Sequence, residues 1–157
     1  MNIHKRIIYI MLSSILFITL SGCDANRETL QGQAQLEIVE SEGYLGVSEN
    51  HITDIVKLIS LTVDEVTMEI MFVRATNGDV RVALNTCEIC YASGKGYFVQ
   101  DASAVICQNC DMSFDIDYIG LSHGGCQPIP IEYFLEEDYV IITYGSLLEN
   151  IQWFIIS

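Results

Sequence analysis

Six cysteines occur in this chain of 157 residues, and five of them lie in the stretch that runs from Cys87 to Cys126. Cys87 and Cys90 make one C-x-x-C and Cys107 and Cys110 make a second. Cys126 closes an H-G-G-C turn that begins at His123. A C-x-x-C can bend back so that both sulfurs face one ion, and the 16 residues between the pairs leave room for a hairpin that brings them together. Four thiolates around Zn²⁺ would make a closed structural site. Iron in the same ligand set would be redox-active, and Cu(I) also favours thiolate. Two other chemistries compete for these residues. Disulfides suit an exported domain, but five cysteines leave one over. Dithiol exchange needs one reactive pair, which ordinarily opens a helix in a βαβ setting.

His123 and Cys126 stand three residues apart around two glycines, so both side chains can fold toward one point. They are candidates for a fifth or alternative ligand, or for a second small site; His123 otherwise reads as an exposed loop histidine. His51 reads as a surface residue. Met68 and Met71 fall on opposite faces of one strand and read as packing. Asp115 and Asp117 share a face if their segment is extended, which says little in so acidic a chain. Hydrolytic chemistry has no support, since G-x-S-x-G, H-E-x-x-H and a glycine-rich phosphate loop are all missing from the sequence.

The elements that must position these residues are strands. Leu36–Glu49 offers a first strand, and Ile55–Leu61 has strand composition. Val66–Arg74 (VTMEIMFVR) alternates, with Val66, Met68, Ile70 and Phe72 on an apolar face and a mixed set on the other. Asn77-Gly78 is the favoured central pair of a type I′ turn and predicts a hairpin into Asp79–Asn85, which delivers the chain to Cys87. Tyr97–Val99 and Ala102–Ile106 predict a second hairpin, turning at Gln100-Asp101 and ending at Cys107. Its open end brings the two C-x-x-C turns together. Phe114, Ile116 and Ile119 form a short apolar segment, and Pro128 and Pro130 fix an extended stretch. Ile131–Leu135 and Tyr139–Thr143 predict a closing hairpin around Glu136-Glu137-Asp138. Ser146-Leu-Leu-Glu149 matches a capping box, and Leu147, Leu148, Ile151, Phe154 and Ile155 predict a short amphipathic helix with Trp153 as a packing residue. The fold class is therefore mainly β (α+β): antiparallel hairpins in one compact sheet or sandwich, with a short C-terminal helix.

Residues 1–22 read as a signal peptide. A basic start with Lys5 and Arg6 precedes an apolar run, Ile7–Leu20, too short to span a bilayer comfortably. Leu20-Ser21-Gly22-Cys23 resembles the lipobox of bacterial lipoproteins, which implies cleavage before Cys23 and a lipid thioether on its sulfur. An uncleaved anchor is the alternative. Two or three acyl chains would hold the domain stably on the extracytoplasmic face of the cell membrane. Residues 23–47 then supply the lipidated cysteine and a polar tether, and 48–157 the cysteine-rich domain. The start lacks an Arg-Arg pair, so export is of an unfolded chain that could not carry a preassembled cluster.

The chain has 7 basic and 21 acidic side chains, a formal charge of −14. Cleavage removes two of the seven basic residues and no acidic one, leaving a formal charge of −16. Nucleic acid is excluded as a partner, because nothing here would neutralise phosphates.

Five stretches together resemble the FtrD-like family of membrane iron–sulfur-containing proteins: Val80–Tyr91 (VRVALNTCEICY), Lys95–Tyr97 (KGY), Val105–Cys110 (VICQNC), the F-x-x-x-x-I-G of Phe114–Gly120, and Gly124–Ile131 (GGCQPIPI). They cover about 50 residues in the family's order. Asp111 and Gln127 depart from the pattern, the former standing where metal-binding knuckles commonly carry glycine. The resemblance implies a role beside bacterial iron-uptake permeases, with Cys87, Cys90, Cys107 and Cys110 holding a redox centre and Cys126 in the same site. It implies an iron–sulfur cluster as cofactor; a single Zn, Cu or Fe ion is the alternative. The protein would be an electron carrier or metal handler with a membrane iron permease or redox partner, rather than an enzyme with its own substrate. A copper or zinc chaperone or sensor module, or a structural zinc domain docked on a permease, is the rival reading.

Overall fold

A computed structural model describes residues 38–41 and 43–155 of the chain. The expected signal peptide, the expected lipidation site Cys23 and most of the expected tether lie outside the described residues. Eleven strands are described: β1 (Ile38–Ser41), β2 (Tyr44–Ser48), β3 (Lys57–Val63), β4 (Val66–Arg74), β5 (Val80–Cys87), β6 (Phe98–Asp101), β7 (Ala104–Cys107), β8 (Ser113–Asp115), β9 (Pro128–Pro130), β10 (Phe134–Glu136) and β11 (Tyr139–Thr143). One short helix follows, α1 (Tyr144–Glu149), and then a 3-10 turn, Ile151–Phe154. The expected mainly β architecture with a short C-terminal helix is observed.

The strands form three antiparallel sheets, in the orders β1-β2-β11-β10, β3-β4-β5-β9 and β6-β7-β8. Two cores explain the stacking. Met68, Ile70 and Phe72 of β4 and Val82 and Leu84 of β5 pack with Leu45 and Val47 of β2 and Val140 and Ile142 of β11. Met71 and Val73 of β4 and Ala83 of β5 point the other way. They meet Phe98, Val105, Ile116 and Ile119 together with Cys87, Cys90 and Cys107. The β3-β4-β5-β9 sheet is thus the middle layer, apolar on both faces where β4 and β5 are covered. This accounts for the mixed face of β4: Thr67 lies uncovered, while Met71 and Val73 lie under the thiol-bearing layer. Met68 and Met71 are both fully buried, one in each core, as packing residues.

Local structure departs from expectation at the β4–β5 turn, at the β6–β7 turn and at the ends of the helix. The β4–β5 hairpin forms, but only Gly78 has a positive φ, so its loop is a three-residue turn with glycine in the left-handed position. Asn77 instead accepts a hydrogen bond from the Asp79 N–H through its side chain, holding its own backbone in the turn. The two-residue turn with both φ positive is Asp64-Glu65, between the paired Val63 and Val66. The β6–β7 hairpin turns at Ala102-Ser103 rather than Gln100-Asp101, because Gln100 pairs with Val105 inside the ladder. The helix begins earlier than the S-x-x-E match implies. Thr143 holds the last ladder position of β11 opposite Tyr44, and its Oγ1 accepts from Ser146 N at 3.1 Å. Thr143 is therefore the N-cap. The helix then stops at Asn150, so Trp153 and Phe154 reach the core from a separate 3-10 turn.

Candidate metal centre

The thiols are brought together by three elements. β5 runs through the middle layer and ends on Cys87; the following turn carries Cys90, whose N–H donates to the Cys87 carbonyl at 3.1 Å. Gly96 lies flat against this turn: a Cβ there would sit 2.5 Å from the Cys90 carbonyl carbon and 2.6 Å from Tyr91 N. The glycine of the K-G-Y stretch thus has a packing reason, invisible in a segment that reads as a flexible loop. Tyr91 meets Trp153 edge to face, with centroids 5.3 Å apart, and Thr86 Oγ1 donates to the Trp153 carbonyl.

The second pair follows β7. Phe98 of β6 is the register partner of Cys107. Asn85, buried two residues before Cys87, accepts the Phe98 N–H at 2.8 Å and donates to Glu69 at 3.0 Å. This one amide locks the β6–β7 hairpin onto β5 and so sets Cys107 against Cys87. Beyond Cys107 the chain folds into a knuckle: Asp111 N donates to the Cys107 carbonyl, and Cys107 N donates to the Met112 carbonyl, both at 3.0 Å. Asp111 has φ +57, the left-handed conformation for which such knuckles commonly use glycine and which aspartate tolerates better than most residues.

Cys126 arrives by a different route. β9 pairs with β5 as an edge strand, where prolines are tolerated, and its Pro128 lies opposite Cys87. A bulge between Leu84 and Cys87 breaks that ladder and re-aims the end of β5. Gly124 and Gly125, with φ +94 and +80, turn the chain into Cys126. Gln127, buried, donates to the Ser122 carbonyl and accepts from the Ser122 hydroxyl, closing the loop at its base. Gly120, the glycine of F-x-x-x-x-I-G, packs against the Val82 carbonyl with no space for a side chain.

The Sγ atoms of Cys87, Cys90, Cys107 and Cys126 lie within 4.8 Å of one another. Cys110 joins at the edge, its Sγ 2.8 Å from that of Cys126, which is 3.3 Å from that of Cys87. All five are free thiols. Cys87, Cys90 and Cys107 are buried, Cys126 is half-buried and Cys110 is exposed. His123 is exposed and is not among the residues whose ligand atoms converge; His51 is half-buried, with Nδ1 lacking a partner. Burial raises the Cys90 and Cys126 thiols, whereas the hydrogen bond from Cys126, then the Met112 backbone, lowers Cys110 to about 7. A bound cation would reverse this order by deprotonating the buried thiols that reach it.

A family model described as "Membrane iron-sulfur containing protein FtrD-like" matches residues 51–154. No curated protein and no solved structure matches the chain. The ligand spacing bears on the cofactor that this description implies. Metal–sulfur bonds of about 2.3 Å put two sulfurs on one tetrahedral ion about 3.8 Å apart, and never more than about 4.6 Å. Four sulfurs mutually within 4.8 Å lie near that range, and small side-chain rotations would bring them onto one ion. A cluster of several irons shares its thiolates among different metal atoms and needs them farther apart. The thiols as placed are close enough together to hold a single ion.

Proposed function

Given that the chain belongs to the FtrD-like family, described as membrane iron–sulfur containing proteins, we propose that it is a lipid-anchored, extracytoplasmic metal-binding protein serving iron uptake by electron transfer or metal handling. The observation that carries this is the convergence of four thiols within 4.8 Å, three of them sealed in a small core of their own. Such a core excludes water and holds soft ligands ready for a soft or borderline cation.

The lipobox-like L-S-G-C supports an anchor at Cys23, and no helix among the described residues is long and apolar enough to cross a membrane. An unfolded export route favours one ion taken up after translocation over a preassembled cluster, in keeping with the spacing of the sulfurs. A membrane permease or redox protein would be the partner. Ile89, inside the first C-x-x-C, and Met112, just after the second, are 67% and 56% exposed and offer apolar contacts next to the thiols.

Metal analysis and a visible spectrum of the protein purified without added metal test this reading. One equivalent of thiolate-bound iron, with visible bands that bleach on reduction, is expected for a carrier. One exchangeable ion without redox activity is expected for a handler. A protein that takes up no metal overturns both.

A further inference from the structure

Five thiols meet at a centre where a tetrahedral ion takes four, so one is supernumerary. The structure distinguishes it by support and by exposure. Cys87 and Cys107 end strands, and Cys90 is braced by Gly96 from behind. Cys126 sits instead on a loop, after two left-handed glycines whose Cβ positions face open space. It is the member of the converging group that neither ends a strand nor has backbone packed behind the loop leading into it. Cys110 lies outside that group, yet it is held in place by the knuckle that carries Cys107, with its sulfur against Cys126 and its other side in solvent.

We propose that Cys110 is the exit ligand of this centre: it displaces Cys126 from an ion held by Cys87, Cys90, Cys107 and Cys126, and so brings that cargo to the surface for a thiolate- or imidazole-bearing acceptor. The proposal rests on the metal-handling reading above. In the exchange Cys110 gives its proton to water and forms a metal–sulfur bond. The bond to Cys126 breaks, and Cys126 takes up a proton. The ion keeps four thiolates and its oxidation state, so no oxidant or reductant is needed. The 2.8 Å contact places the incoming and outgoing sulfurs side by side, and the space beside Gly124 and Gly125 leaves room for the Cys126 side chain to turn away.

The test loads the full chain with Co²⁺ under anaerobic conditions and follows thiolate-to-metal absorption while EDTA competes for the ion. Cys110→Ser should keep the four-thiolate spectrum and release Co²⁺ roughly tenfold more slowly than wild type. Cys126→Ser should retain a four-thiolate spectrum through Cys110 and release roughly tenfold faster. Alkylation of the Co²⁺-loaded wild-type chain should label Cys110 before any other of the five, a readout that needs no variant. A Cys110→Ser protein that loses about a quarter of the charge-transfer intensity shows Cys110 to be a resident ligand and overturns the proposal. Release at the wild-type rate, or labelling of Cys126 first, overturns it as well. A wild-type chain that binds no Co²⁺ overturns the metal reading itself, a result distinguishable from either.

Discussion

The two faces of the middle sheet carry cores of different kinds. Against the β1-β2-β11-β10 sheet the packing is aliphatic and aromatic throughout, with Phe72, Met68, Ile70, Leu84, Val47 and Ile142 excluded from solvent. Against the β6-β7-β8 sheet the core is smaller, and three of its ten buried members are thiols. Burying a large apolar side chain contributes about 1.5–3 kcal/mol, so the first face has the means to hold the fold by itself. The second has fewer such side chains and spends buried positions on groups that gain most from a cation. One face secures the sheet, and the other uses its rigidity to set sulfurs in place.

The largest effect should come from the face without thiols. Phe72→Ala removes a fully buried ring there and should cost about 3–5 kcal/mol in denaturant unfolding, with or without metal. If the loss is much smaller once metal is bound, the two faces are not divided in this way. Removal of metal is next. An ion present at 100 times its dissociation constant adds about 2.7 kcal/mol. Hydrogen exchange should show that chelation opens β6, β7 and the turns at Cys90 and Cys110, while β2, β4 and β11 stay protected. Uniform loss of protection would contradict the division.

A third, smaller effect isolates the link between the sheets. Asn85→Ala leaves the Phe98 N–H without its acceptor in a buried place and should cost about 1–3 kcal/mol. Because Asn85 sets the β6–β7 hairpin against β5, the variant should also weaken metal binding. An equal loss of stability with unchanged affinity would make Asn85 a core residue and nothing more.

Asn85 also marks where the sequence stops being readable. The five cysteines announce a candidate metal centre through local spacing, and the hairpins that carry them follow from local alternation and turn residues. Which sulfurs converge depends on long-range register. Cys126 meets Cys87 because β9 pairs with β5 across a bulge, and nothing near Cys126 in sequence encodes that pairing. Gly96 and Gly120 look like loop glycines until the Cys90 peptide and the Val82 carbonyl are seen against them. The buried role of Asn85 has no local signal either, since its partners Phe98 and Glu69 lie 13 and 16 residues away in sequence. The S-x-x-E at Ser146 shows the opposite failure, a local motif overruled because the β11 ladder ends at Thr143.

The smallest effect concerns how the thiol-bearing side is fastened to the middle sheet at its far end. Asp117, in the 3-10 turn between Ile116 and Ile119, accepts the Thr76 N–H at 2.7 Å and the Thr76 hydroxyl at 2.5 Å. Thr76 belongs to the β4–β5 turn, so this carboxylate ties the two layers together. The Thr76 hydroxyl, then its N–H, holds the Asp117 carboxyl below its ordinary value, with Arg81 adding a weaker pull. A carboxyl lowered in the folded state stabilises above its unfolded pKa, and that contribution is lost as pH falls through the folded value. The tie is therefore in place near neutrality and fails only in acid, below about pH 4. Thr76→Ala should raise the Asp117 midpoint toward the ordinary range in a carbon-13 NMR titration, and Thr76→Ser should restore it. At pH 7 the alanine variant should keep its metal affinity, because the sulfurs are set by β5, β7 and β9 rather than by this turn. An Asp117 midpoint that does not move in Thr76→Ala would remove the hydroxyl as its cause. A fall in affinity at pH 7 would show that the far end of the layer also positions the thiols.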